Sequence, residues 1–187
     1  MPAMSEPKIE LREQPGRTRL EPRQAAPIDR QFPCEAEMRM AQSLMFFAYR
    51  DFTNAADVIL DELGLGRAHH RALHFIGRNP GITVTDLLGI LRITKQSLAR
   101  VLTVLIGFGY VSQAPGRTDR RQRLLSLTPS GATLERRLFE SQRERLSAAY
   151  LAAGATAVDG FRQVMRGIMD ESAQRYVDNT DATEAEA

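Results

Sequence analysis

Two threonines, Thr83 and Thr94, each head a short apolar stretch, and together they constrain the fold of this segment more than any other feature. Thr83-Val84-Thr85-Asp86 has the spacing of a capping box. Here the threonine hydroxyl accepts from the amide three residues on, and the carboxylate reaches back to the threonine amide. A helix is predicted from Val84 to about Leu91, followed by the linker Arg92-Ile93. Thr94 then offers a second N-cap, and a longer helix is predicted from Lys95 to about Ile106, where Gly107 and Gly109 end it. Leu87, Leu88 and Leu91 of the first would face Leu98, Val101, Leu102 and Leu105 of the second. A short helix, a tight turn and a longer helix sharing one apolar seam form a helix-turn-helix unit.

The residues after this unit narrow the fold further. Tyr110–Gln113 and Arg123–Leu127 are strand candidates, and the second alternates Leu125 and Leu127 against Leu124 and Ser126. Between them, residues 114–122 are rich in turn formers and cations, which makes a β-wing. Thr128 is the next N-cap, with Pro129 at the first helical position. The net charge of the chain is only +2, but between Arg92 and Arg123 seven cations accompany the single anion Asp119. A local positive patch on a near-neutral chain is the footprint of polyanion binding. A major-groove helix beside a cationic arm is the arrangement that adjacent grooves of duplex DNA require. The basic residues are 23 Arg and 2 Lys, and arginine supplies a rigid fork for phosphate and guanine.

The 187 residues, 43% of them hydrophobic, are enough for one domain with extensions. No run of 18 apolar residues marks a membrane span, and the N-terminus lacks the apolar stretch of a secretory signal. Cytoplasm is therefore the expected location. Residues 1–36 form an expected disordered arm, since six of the nine prolines lie before Cys34 and no hydrophobic period is present. A long amphipathic helix is predicted over 37–63, stopped by Gly64 and Gly66, and another from about Arg67 to Arg78. A charged helix follows Pro129 to about Leu151, Gly154 breaks it, and Thr156-Ala157-Val158-Asp159 reads as the capping box of one last helix to Tyr176. Residues 178–187 read as a disordered acidic tail. The fold class is mainly α with a small β-wing: a domain over 37–177, with a winged helix-turn-helix lobe at about 66–128 and dimerisation helices at 37–63 and 129–177. These outer helices have apolar faces too large for the winged core to cover alone, so a homodimer is expected.

The fragments Gly81–Leu88, Ile93–Leu102, Asp119-Arg120-Arg121-Gln122 and Leu127-Thr128-Pro129-Ser130-Gly131 resemble the MarR family of bacterial transcription regulators, over about residues 37–177. The most specific pieces are the Asp-Arg-Arg wing and the Leu-Thr-x-x-Gly behind it. Gly66–Phe75 and Ile93–Ser97 are similar to the PetP-like subgroup. The resemblance implies a triangular homodimer with two winged lobes on a pseudo-palindromic site. It also implies control of nearby genes, often as a repressor released by a small ligand or an oxidant.

The N-terminal turn of a recognition helix points into the major groove. Lys95, Gln96 and Ser97 are therefore expected at base edges: Gln96 suits adenine, Lys95 guanine or phosphate, and Ser97 base or backbone. Arg100, one turn on, is placed for phosphate or guanine. The amides capped by Thr94, and by Thr83 with Thr85, can hold phosphates. In the wing, Arg120 and Arg121 suit a narrow minor groove, and Arg117 and Arg123 suit phosphates. The family pattern implies that Asp119 orients a wing arginine instead of touching DNA.

The sensing residues are less defined. Family members that sense peroxide place a cysteine inside the first long helix and tyrosines on the next. Here Cys34 precedes that helix, Gln42 stands near the matching position, and Arg67 and His70 stand where the tyrosines would be. Cys34 is the one redox candidate. His70 and His74 share a face at i and i+4, a spacing that can bind metal, but no nearby acid or thiol in sequence completes a set, so neither a metal nor a cofactor is expected. A ligand pocket beside Phe46, Tyr49, His70 and His74 is implied by the resemblance alone. The competing readings are a thiol- or metal-responsive regulator of the same fold and a winged-helix protein-interaction module without DNA binding. An enzyme is not expected, because no nucleophile–base constellation or phosphate-binding glycine loop is present.

Overall fold

The computed structural model describes residues 33–116 and 119–185. The helices are α1 (Glu35–Glu62), α2 (Arg67–Arg78), α3 (Val84–Leu91), α4 (Lys95–Gly107), α5 (Pro129–Ala153), α6 (Ala155–Ile168) and α7 (Glu171–Ala185), and the strands β1 (Ile82–Thr83), β2 (Val111–Pro115) and β3 (Arg123–Leu127). Contacts divide the chain within α1, into Met1–Ala41 and Gln42–Ala187. In the first unit, the Cys34 amide donates to Glu37 Oε2 at 2.9 Å and Arg39 pairs with Glu35. This cap starts α1 at Glu35, so the last two residues assigned to a disordered arm are helical; residues 1–32 lie outside the described part.

The second unit holds the core. The caps form where the hydroxyls predict them: Thr83 Oγ1 accepts from the Asp86 amide, Thr94 Oγ1 from the Ser97 amide and Thr128 Oγ1 from the Gly131 amide, each at 3.1 Å. Each fills one of the orphan donors of a helix start. Leu87 of α3 packs with Leu98, Val101, Leu102 and Leu105 of α4, and Leu73 and Ile76 of α2 close over them. Leu60 of α1 and Leu134 and Leu138 of α5 complete the cluster. Leu88 and Leu91 border it half-buried.

The sheet is antiparallel in the order β1-β3-β2, with Val111 opposite Leu127, Pro115 opposite Arg123 and Ile82 opposite Leu125. β1 is an addition to the predicted pair. Its two residues are too few to show a period, and only the buried partner Leu125 draws them into the sheet. Among the described residues, no helix is long and apolar enough to cross a membrane.

The C-terminal end departs most from expectation. Thr156 is not an N-cap: Gly154, at φ 81°, both ends α5 and heads α6, which begins at Ala155 without a side-chain cap. The single last helix is two. Met169 takes an extended conformation (ψ 148°), and Asp170 Oδ1 restarts the chain as α7 by accepting from the Ser172 and Ala173 amides at 3.0 and 3.1 Å. α7 then continues to Ala185, through residues expected to form a disordered acidic tail.

α6 buries none of its residues, although Phe161, Val164 and Ile168 stand on it 48–63% exposed. Leu44, Phe46 and Phe47 of α1 are exposed to the same degree.

Candidate nucleic-acid interface

The start of α3, one face of α4 and the wing enclose a single cleft of about 770 Å³. Thr83 and Thr85 line it from α3, Lys95 from α4, and Asp119, Arg121 and Arg123 from the wing. Lys95, Gln96, Ser97 and Arg100 are all exposed on α4, as are Arg120, Arg121 and Arg123 on the wing. Among the described residues, no carboxylate forms an ion pair with Lys95, Arg100, Arg120, Arg121 or Arg123. Elsewhere several arginines are neutralised, Arg67 by Asp57 at 2.6 Å, Arg137 by Glu62 at 3.2 Å and Arg162 by Asp159 at 3.4 Å, while Arg71 and Arg145 have no such partner among the described residues. Cations without local partners keep their full charge for an external anion. Arg92 is the exception within the patch read from sequence, because Asp170 holds it at 2.7 Å.

The two helix starts in the cleft differ. No acidic residue stands in the first turn of α4. The Thr94 hydroxyl donates to Ser97 Oγ at 2.9 Å, so this contact does not use the Ser97 hydroxyl proton. At α3, Asp86 occupies the equivalent place, and Thr83 Oγ1 donates to its Oδ2 at 2.7 Å. The carboxylate does not take the Thr83 amide as expected; it takes the hydroxyl. Thr83 is thus committed to Asp86 both as donor and as acceptor. Its hydroxyl proton is therefore not available to a phosphate, while the Thr85 hydroxyl has no partner among the described residues. A carboxylate at a helix N-terminus also cancels part of the dipole that would draw an anion.

The wing tip is closed by its own backbone. The Gly116 amide donates to the Gln122 carbonyl and the Gln122 amide to the Asp119 carbonyl, both at 3.0 Å. The Asp119 carboxylate accepts from the Arg121 amide at 2.9 Å, an Asx-turn that fixes the direction of Arg121. The contact of Asp119 with this arginine is to its main chain. Arg117 lies outside the described residues.

The Leu-Thr-x-x-Gly stretch joins this site to α5. The Thr128 amide donates to the Tyr110 carbonyl at 3.0 Å, and the Thr128 and Ser130 hydroxyls donate to the Gly109 carbonyl at 2.6 and 2.9 Å. Gly131 lies so close to this turn that a Cβ there would overlap the Tyr110 carbonyl oxygen.

The residues proposed for sensing are not gathered. A groove of about 1290 Å³ is lined by His74 together with residues of α3 and α7, but Phe46, Tyr49 and His70 take no part in it. Phe46 packs edge-on against Phe47, and Tyr49 lies under the Arg67 guanidinium at 5.9 Å. Within one chain the four residues do not line a common groove. His74 Nδ1 lies 3.5 Å from Glu135. Burial, and next the charge of His74, lower the His70 pKa, while Glu135 and Asp57 pull the other way. Cys34 is a free thiol, half-buried at the head of α1.

Sequence reasoning missed the contacts between α7 and the helix-turn-helix. They join residues 80 to 97 positions apart, so no local pattern encodes them. The available hint was an arginine, and not a glycine, after α3.

A three-helix core carrying a paired-strand wing, with bare cations on the second helix of the turn and on the wing, defines the winged helix-turn-helix class. The model of the MarR family matches residues 63–122. The HTH-type transcriptional regulator PetP of Rhodobacter capsulatus is 54% identical over 145 residues, which span 78% of this chain and 87% of that protein. A MarR mutant from E. coli, solved in complex with operator DNA, superposes with a TM-score of 0.58 at 20% identity, covering 72% of this chain and 96% of that one. A MarR-family regulator from Silicibacter pomeroyi gives 0.59 at 21% identity, covering 68% and 86%. The chain belongs to the MarR family of transcriptional regulators.

Proposed function

We propose that the protein binds duplex DNA as a homodimer and regulates transcription from the site it occupies. The observation that carries this reading is the single cleft bounded by α4 and the wing, whose cations have no ion-pair partners among the described residues. α4 enters the major groove, where Lys95, Gln96, Ser97 and Arg100 meet base edges and phosphates. Arg120 and Arg121 reach the flanking minor groove, Arg121 in a direction set by Asp119. Arg123 and Thr85 contact phosphates, and Arg117 is assigned with them by its place in the wing sequence.

The homodimer is supported by the uncovered apolar side chains of α1 and α6, since contiguous exposed apolar surface marks association sites. The chain organises accordingly into a lobe at about 66–128 and dimerisation helices at 37–63 and 129–177. Two lobes about 34 Å apart would engage successive major grooves. A small-molecule effector is part of the same reading, and the groove beside His74 is large enough for one. The place of work is with the chromosome, in the cytoplasm.

The test is selection of duplexes from a random-sequence pool by the full chain at physiological salt, with sedimentation of the free and bound protein. The expected result is an enriched pseudo-palindrome bound by a particle of twice the 20.9 kDa chain mass. No enrichment, with binding equal on all sequences, would leave a winged-helix interaction module as the better account.

A further inference from the structure

The geometry points to α7 as a brace that grips the C-terminal ends of α2 and α3 and, through the Arg92–Asp170–Ser172 contact, positions the recognition helix α4. This inference rests on the DNA-binding reading. Arg92 caps the C-terminal end of α3, two residues before the N-cap of α4, and sets the direction between the two helices. Among the described residues it is the only non-glycine with positive φ, at 49°. Glycine is the usual occupant of such a position, since a side chain there strains the backbone. An arginine in this conformation calls for a compensating role, and its guanidinium has one. Nη1 lies 2.7 Å from Asp170 Oδ2, and Nη2 donates to Ser172 Oγ at 2.8 Å.

The receiving end is itself built. Asp170 Oδ1 accepts from the amides of Ser172 and Ala173 and from the Ser172 hydroxyl (2.7 Å), which leaves Oδ2 directed at Arg92. The Ser172 hydroxyl, then the Ala173 amide, hold the Asp170 pKa down at about 2, so the carboxylate is charged at any working pH. One turn further along α7, the Tyr176 hydroxyl accepts from Asn79 Nδ2 at 2.9 Å, and its ring meets Phe75 edge-on at 5.5 Å. Asn79 caps the C-terminal end of α2, and Arg92 that of α3. The two helices that lead to the recognition helix are thereby held at their C-terminal ends by one element from outside the winged lobe. A lone exposed ion pair contributes little. Here it is one of three contacts spaced along a helix, so it acts on orientation more than on stability.

Arg92→Gly separates the two. It removes the guanidinium but relieves the strained φ, so thermal stability is expected to hold or rise. Affinity for a duplex selected by the wild-type chain is expected to fall about tenfold, with little change on a scrambled duplex of the same length. Asp170→Asn keeps an N-cap of similar quality and loses the charge, and it is expected to weaken the selected duplex in the same way. Amide exchange in α7 is expected to accelerate in both variants without DNA.

Wild-type affinity in both variants would overturn the brace. So would tighter binding by Asp170→Asn, which would mean that Arg92 is a phosphate contact restrained by Asp170. Unchanged exchange in α7 would overturn it as well. If the wild-type chain enriches no duplex at all, the DNA reading fails and the positioning role falls with it, an outcome distinct from variants that match a binding wild type.

Discussion

Gly131→Ala sets two opposing effects against each other, and the structure decides between them. Gly131 lies in the first turn of α5, and alanine in an ordinary helix position is worth about 0.5–1 kcal/mol over glycine. Here the added methyl would lie 2.8 Å from the Tyr110 carbonyl carbon and 3.2 Å from its Cα, and would overlap the carbonyl oxygen. These are backbone atoms, which cannot rotate away. Relief requires the start of α5 and the α4–β2 turn to separate by about 1 Å, and such overpacking costs about 1–3 kcal/mol. The separation also stretches the bonds from Thr128 and Ser130 to the Gly109 and Tyr110 carbonyls, each worth about 1 kcal/mol. The net expectation is destabilisation by about 2–4 kcal/mol. Urea unfolding followed by circular dichroism at fixed protein concentration should show the midpoint falling by roughly 1–2 M. Gly89→Ala, on the open side of α3 with no atom within 4 Å, is the control and should be neutral or stabilising. Equal or greater stability of Gly131→Ala would refute the close-approach argument.

Three further outcomes concern the site and its surroundings. Asp119→Ala removes a negative charge near DNA yet should weaken binding several-fold, because the Arg121 amide loses its anchor; tighter binding in fluorescence anisotropy at moderate salt would contradict the orienting role. Arg123→Gln should lower affinity for all sequences alike and reduce the slope of log K against log salt by about 0.9; a sequence-dependent loss would make Arg123 a base reader. His70, with its pKa lowered first by burial, binds fewer protons folded than unfolded, so the contribution of its neutral form is intact above about pH 6.5 and is lost as pH falls from there towards the folded value. Urea midpoints at pH 7.5, 6.5 and 5.5 should therefore decline less steeply in His70→Gln than in the wild type, and parallel profiles would place the titration elsewhere.

The sequence makes the winged lobe legible because each of its boundaries has a local chemical cause. Thr83, Thr94 and Thr128 carry their hydroxyls to the amides three residues on, and Gly154 breaks α5 with a positive φ. The exposed residues of α4 and the wing are readable for the same reason, since their roles depend on position within one element. The features that stay hidden depend on contacts distant in sequence. The pairing of β1 and the seating of Tyr176 on Asn79 are fixed by packing that no helical spacing reveals. The break at Asp170 is local but masked, because Ser172 falls in register with the apolar face that precedes it. Thr83 is legible as a cap, but that the Asp86 carboxylate takes its hydroxyl and not its amide is not.

The hydrogen bonds between Thr128, Ser130 and the turn after α4 make α5 a lever arm. The reading head cannot slide against the start of this helix without breaking the contacts at Gly109 and Tyr110. A helix of 25 residues is about 37 Å long, so a tilt of about 5° at one end moves the other by about 3 Å. That displacement separates a base-edge hydrogen bond from none. A shift at the far end of α5 would therefore reach the turn after α4 along the helix itself.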